Sequence, residues 1–117
     1  MTRIERLEPG PRMSQAVVHN GVVYLAGQVA AEAQGAPVKD QTANILQRID
    51  KLLAAAGTDK TKLLSATIWL ADMRTFDEMN SVWDKWVALG GTPARATVEA
   101  KLAAPGYTVE IAVIAAV

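Results

Sequence analysis

Hydrophobic and polar positions alternate strictly along Arg95-Ala96-Thr97-Val98-Glu99-Ala100-Lys101-Leu102. A strand over this run sets Ala96, Val98, Ala100 and Leu102 on one face and Arg95, Thr97, Glu99 and Lys101 on the other. After a turn at Pro105-Gly106, Thr108 to Val117 is almost wholly apolar, with Glu110 its only charge. Near the start, Met1 to Leu7 reads as a strand and Pro9-Gly10-Pro11 as a break. Gln15 to His19 and Val22 to Ala26 then flank Asn20-Gly21, a dipeptide that tolerates the positive φ angles of a type I′ hairpin turn. Both arms of this hairpin carry apolar residues on both faces, so the sheet they join is expected to be covered on both sides.

Between these strands the period changes. Ala33 to Pro37 reads as a loop, and from Lys39 a helical stripe runs through Ile45, Ile49, Leu52, Leu53 and Ala56 until Gly57 stops it. Leu63 to Ala71 has the composition of a buried strand. Thr75-Phe76-Asp77-Glu78 has the form of a capping box, opening a helix that carries Phe76, Met79, Val82, Trp83, Trp86 and Val87 on a broad apolar face and ends before Gly90-Gly91. The order is β-β-β-α-β-α-β-β, an α+β layout with both helices on one face of a mixed sheet, and residues 1–117 are expected to form a single domain. The opposite face keeps too many apolar residues for water, in Val17-Val18, Val22 to Leu25 and Ile111 to Val117. Closed homo-oligomerisation covers such a face, with sites between subunits as a consequence.

Composition narrows the chemistry. Twelve basic and twelve acidic residues balance, with no basic cluster, which argues against nucleic-acid binding. The chain has no cysteine and one histidine (His19), which removes thiolate metal sites, a cysteine nucleophile and, within one chain, a Ser-His-Asp triad. No signal-like or membrane-spanning run occurs, so a soluble cytoplasmic protein without metal or cofactor is expected.

What remains is an arginine opening one strand and a lone carboxylate in the next, a pattern that suits a small anion and its chemistry. Arg95 and Glu110 are equally open to a plain reading, as a structural salt bridge or as two solvated charges. Glu99 and Lys101 read as a solvated cross-strand pair, His19 as an exposed hairpin residue, and Trp83 and Trp86 as core. Asn80 either lines a cleft or is solvated on the polar side of its helix, and Tyr107 reads as loop packing.

Several strings resemble the RidA/YjgF family of small trimeric imine deaminases. They are Val23-Tyr24-Leu25-Ala26-Gly27-Gln28, Met79-Asn80, Pro93-Ala94-Arg95-Ala96-Thr97-Val98-Glu99 and Val109-Glu110-Ile111, and the resemblance runs from about Gly10 to the end. The string from Pro93 to Glu99 followed by Val109-Glu110-Ile111 is its specific part. Ala66-Thr67-Ile68-Trp69-Leu70 and the Trp-rich second helix resemble a divergent branch. The resemblance implies a chorismate-mutase-like fold, a homotrimer, and clefts at the subunit contacts that hydrolyse 2-imino or enamine acids to 2-oxo acids and ammonia. It places the carboxylate-binding arginine at Arg95 and the water-positioning glutamate at Glu110. Ala26, Gly27, Asn80, Thr97 and Met13 fall among the substrate contacts.

The residues suit those roles. Arg95 offers a planar, permanently charged fork for a carboxylate, and Glu110 can orient or deprotonate a water. Backbone N–H groups around Gly27 and Thr97 could support the anion. Met13 stands where the family commonly has tyrosine, Ala26 where it has serine, and Thr97 where many members have cysteine. Those departures leave the imine open. A 3-aminoacrylate-type deaminase and a non-enzymatic trimer with ligand-binding, chaperone-like or translation-inhibiting action stand as alternatives.

One geometric expectation follows from numbering. In a simple hairpin around Ala103 to Tyr107, Glu110 faces Ala100, and Arg95 is five residues away, on the order of 17 Å along a strand. A productive Arg95–Glu110 pair therefore requires another strand order or completion across a subunit boundary.

Overall fold

The computed structural model describes residues 3–117. Met1 and Thr2, the start of the expected first strand, lie outside the described residues, and that strand (β1) is Glu5–Pro9. Strands β2 (Ser14–His19) and β3 (Val22–Leu25) form the expected hairpin. Its turn has φ of 53° at Asn20 and 75° at Gly21, the double positive angle that the Asn-Gly pair tolerates. A two-residue strand, β4 (Gln28–Val29), follows after Ala26 and Gly27 and was not anticipated.

Helix α1 (Val38–Ala55) buries Val38, Ile45, Leu46, Ile49, Leu52 and Leu53, a stripe of helical period that carries most of the core under the sheet. Gly57 ends it with φ of 86°. Strand β5 (Leu63–Leu70) leads to α2 (Phe76–Trp86), then β6 (Ala94–Glu99) and β7 (Val109–Ala116).

The capping box expected at Thr75 does not form. A 3-10 turn over Met73–Thr75 precedes α2, begun by Asp72, whose carboxylate accepts from the Arg74 N–H. Thr75 is thereby drawn out of the extended conformation a cap requires (φ −90°, ψ 8°), and its hydroxyl donates back to the Asp72 carbonyl. Glu78 is used elsewhere: its carboxylate accepts from the Lys39 N–H at 3.1 Å, in the first turn of α1.

The sheet has the order β1-β2-β3-β7-β5-β6, with β4 also on β7. β6 does not pair with β7. It runs parallel to β5, because the connection between them is a crossover through α2, and β5 separates it from β7. Side chains of β5 and β7 divide cleanly. Ala66, Ile68, Leu70, Val109, Ile111 and Val113 are buried beneath the helices. Thr67, Trp69, Glu110, Ala112 and Ile114 alternate with them and point to the opposite face, where Tyr24 and Val98 join them. That face is not covered within the chain: Tyr24 is 47% and Val98 44% exposed. The two-sided cover expected from the sequence is therefore present on one side only.

Candidate functional site

Arg95 is fixed from within its own chain. It pairs in register with Ala66, which turns its side chain to the helix-covered face at the outer edge of the sheet. Phe76, Asn80 and Trp83 stand at i, i+4 and i+7 of α2, one stripe of that helix, and meet it there. One terminal nitrogen of Arg95 donates to the Asn80 amide oxygen at 2.8 Å. The guanidinium carbon lies 5.8 Å from the Phe76 ring centre and 5.3 Å from that of Trp83, within cation–π range. Two rings and an amide thus hold the fork, with donors left over for an anion. Asn80 is half-buried on α2, and its amide oxygen is engaged by Arg95.

Two neighbours complete this edge. The Thr97 hydroxyl is buried without a hydrogen-bond partner among the described residues. The Glu99 carboxylate accepts from the Met73 N–H at 2.9 Å, holding the turn before α2 in place of the cross-strand pair expected with Lys101.

Glu110 lies elsewhere. It pairs with Trp69 on one side and Val29 on the other, on the open face. Arg95 and Glu110 therefore face opposite sides of the sheet, as Ala66 and Trp69 do. Two strand spacings and three residues of offset set their Cα atoms on the order of 14 Å apart. Strand order alone does not bring them together. Burial raises the Glu110 carboxyl above its usual range, the direction expected for a lone carboxylate amid apolar side chains.

The carboxylate of Glu110 lies over Gly27. A Cβ on that glycine would come within 2.1 Å of a Glu110 carboxyl oxygen. Ala26 sits beside it, its N–H donating to the Gln15 carbonyl at 2.9 Å. Met13 belongs to the turn between β1 and β2, 48% exposed, at the opposite edge of the sheet from Arg95. The residues singled out in the sequence thus fall into two groups within one chain, Arg95 with Asn80 and Thr97, and Glu110 with Ala26 and Gly27, with Met13 apart from both. A cleft of about 640 Å³ beside Glu99 to Tyr107 contains neither group's charged residue.

Sequence reasoning missed Phe76 and Trp83 as companions of Arg95, although their i, i+7 spacing around Asn80 was visible. It also missed the parallel pairing of β5 and β6, which a strand–helix–strand succession announces. Among the described residues no cluster of His, Asp and Glu could hold a metal ion. Among the same residues no helix is long and apolar enough to cross a membrane.

Residues 3–117 match the family model described as Endoribonuclease L-PSP. A RutC family protein of Haemophilus influenzae is 46% identical over 112 residues, covering 96% of this chain and 97% of its own. The bovine 2-iminobutanoate/2-iminopropanoate deaminase is 35% identical over 107 residues, covering 87% of this chain and 77% of its own. The crystal structure of a YjgF family member from Neisseria meningitidis superposes with a TM-score of 0.94 at 46% identity, covering 97% of this chain and 94% of that one. Matched in sequence and in fold over nearly its whole length, the chain belongs to the RidA/YjgF family.

Proposed function

We propose that this protein hydrolyses small 2-imino or enamine carboxylic acids to 2-oxo acids and ammonia, without a cofactor, in clefts between the subunits of a homotrimer. The observation that carries the reading is the division of the two charged residues. Arg95 is a preset anion fork at one edge of the sheet, and Glu110 is a lone carboxylate of raised pKa on an uncovered apolar face. Packing the open face of one chain against the edge of another covers the apolar residues and sets Glu110 of one subunit opposite Arg95 of the next. The family resemblance supplies the threefold count, and the bovine deaminase supports the substrate class.

The chemistry needs no further group. Arg95 binds the substrate carboxylate through its free donors, orienting the C=N carbon. Glu110 accepts a proton from water as the water oxygen bonds to the C=N carbon of the protonated imine, whose π electrons move to nitrogen, giving a neutral carbinolamine. The same carboxyl returns the proton to nitrogen. The C–N bond then breaks with its electron pair leaving on ammonia as the hydroxyl gives its proton to Glu110, which releases the 2-oxo acid, and that proton passes to the ammonia, which leaves as ammonium. The raised pKa of Glu110 makes it a stronger base toward the water proton than an ordinary surface carboxylate.

Balanced charge argues against the phosphate-backbone binding that the family model's description would require. The test is direct: freshly generated 2-imino acid is mixed with the protein, and 2-oxo acid and ammonia are followed. Acceleration by the native protein, reduced about a hundredfold or more in Arg95→Ala, is expected. No acceleration, or equal acceleration by Arg95→Ala, rejects the reading.

A further inference from the structure

Strands β3 and β4 both pair with β7, but not in one continuous register. Tyr24 faces Ile114, and four residues later Gln28 faces Ile111, only three residues away on β7. Leu25, Ala26 and Gly27 therefore oppose Ala112 and Val113, three residues against two, which is a β-bulge. The extra residue reverses the facing of the chain. Tyr24 points to the open face, whereas Gln28, 1% exposed, lies with Ile111 beneath the helices.

The bulge is clamped from the helix side. The Gln28 amide nitrogen donates to the Gln15 side-chain oxygen and to the Ala26 carbonyl, each at 3.0 Å. Arg48 Nε of α1 donates to the Gln28 amide oxygen at 3.3 Å. On the open side, Gly27 lies under the Glu110 side chain. Its missing Cβ would stand 2.1 Å from Oε2, 3.0 Å from Cδ and 3.3 Å from Cγ. Only a glycine leaves that space, here for a side chain and not for a strained backbone.

We propose that the bulge at Leu25–Gly27 is a seat for Glu110, with Gly27 as the positioning residue that lets its carboxylate lie flat on the backbone and fixes where it points. The inference rests on the catalytic reading of Glu110 and adds what aims it. The obstructing atoms belong to the free end of a flexible side chain. A methyl group at residue 27 thus leaves the strands in place and swings the carboxylate away.

Steady-state hydrolysis is compared in the native protein, Gly27→Ala, Glu110→Asp and the double variant. Gly27→Ala is expected to lower kcat about tenfold to a hundredfold, the effect of misplacing a reacting group by about an ångström, with a smaller change in KM. Glu110→Asp withdraws the carboxylate from the 2.1 Å overlap. In that background Gly27→Ala is expected to add almost nothing, a strongly non-additive cycle. Equal losses from Gly27→Ala in both backgrounds, or none in the native one, overturn the proposal. A second measurement needs neither variant nor activity: a nuclear Overhauser contact between the Gly27 Hα and Glu110 Hγ protons of the native protein is expected, and its absence overturns the seat. If the native protein shows that contact yet hydrolyses no imine, the catalytic reading has failed while the seat stands.

Discussion

The surroundings of Arg95 and of Glu110 are built on opposite plans. Arg95 has a finished environment in a single chain: an amide acceptor at 2.8 Å and two aromatic rings from one helix stripe. Glu110 has a seat beneath it, on a face where Tyr24 and Val98 are nearly half exposed. A guanidinium needs only partners for its fixed donors, which one helix can supply. A carboxylate that is to hold a water and return its proton needs a dry surrounding that can open to substrate. A second chain provides that without burying the charge permanently. The proposed division therefore assigns binding to structure within the chain and chemistry to structure between chains.

The largest effect should come from attacking the uncovered face. Val98 shares that face with Trp69 and Glu110 and is exposed in the single chain, so Val98→Asp should leave the chain folded. At a subunit contact it buries an unpaired charge, which costs about 3–5 kcal/mol. Sedimentation is expected to show a species of single-chain mass, with an unchanged far-ultraviolet spectrum and imine hydrolysis reduced to background. An intact oligomer with full activity would mean that this face is not the interface and that Glu110 is completed in some other way.

The finished side answers to a subtler change. Asn80→Asp keeps the acceptor oxygen that Arg95 uses but adds a negative charge beside the guanidinium. The fork then has a resident carboxylate competing with that of the substrate. KM is expected to rise about tenfold with little change in kcat, and thermal stability should hold. An unchanged KM would show that Arg95 is not the anion fork. A loss in kcat alone would move Asn80 from the binding half of the comparison to the chemical half.

The same contrast marks what the sequence could disclose. The Asn20-Gly21 hairpin, the α1 stripe and the stop at Gly57 are local matters of φ preference and periodicity, and they were legible. The capping box at Thr75 was not, because the 3-10 turn begun at Asp72 takes both the Thr75 N–H and the Thr75 hydroxyl onto the Asp72 carbonyl. Thr75 and Glu78 then serve Asp72 and α1 instead. Arg95 and Glu110 stood out as charges in apolar strands, yet their facing depends on β5 lying between β6 and β7, which alternation within either strand does not encode. Gly27 was visible only as part of a Leu-Ala-Gly-Gln string. Its meaning depends on a one-residue slip against β7 that appears only once both registers are known.

The smallest expected effect concerns stability and separates the two charges once more. The Glu110 carboxyl titrates higher folded than its reference value of 4.5, because burial disfavours the charged form. Between the unfolded and folded values the native state binds more protons than the unfolded chain. Stability on this account is therefore greatest below the unfolded value, falls as pH rises through that window and is level above the folded value. Glu110→Gln removes the titration while keeping the shape. Denaturant unfolding of both proteins from about pH 4 to pH 7 should show the glutamine variant gaining relative to native as pH rises, then holding a constant advantage. The gain should be modest in a dissociated chain such as Val98→Asp, where water still reaches the carboxylate, and larger in the proposed assembly, where a covering subunit would remove that water. Equal gains in the two backgrounds would show that Glu110 is no drier in the assembly than in the single chain, and the division between a finished and an unfinished half would fail at its unfinished end.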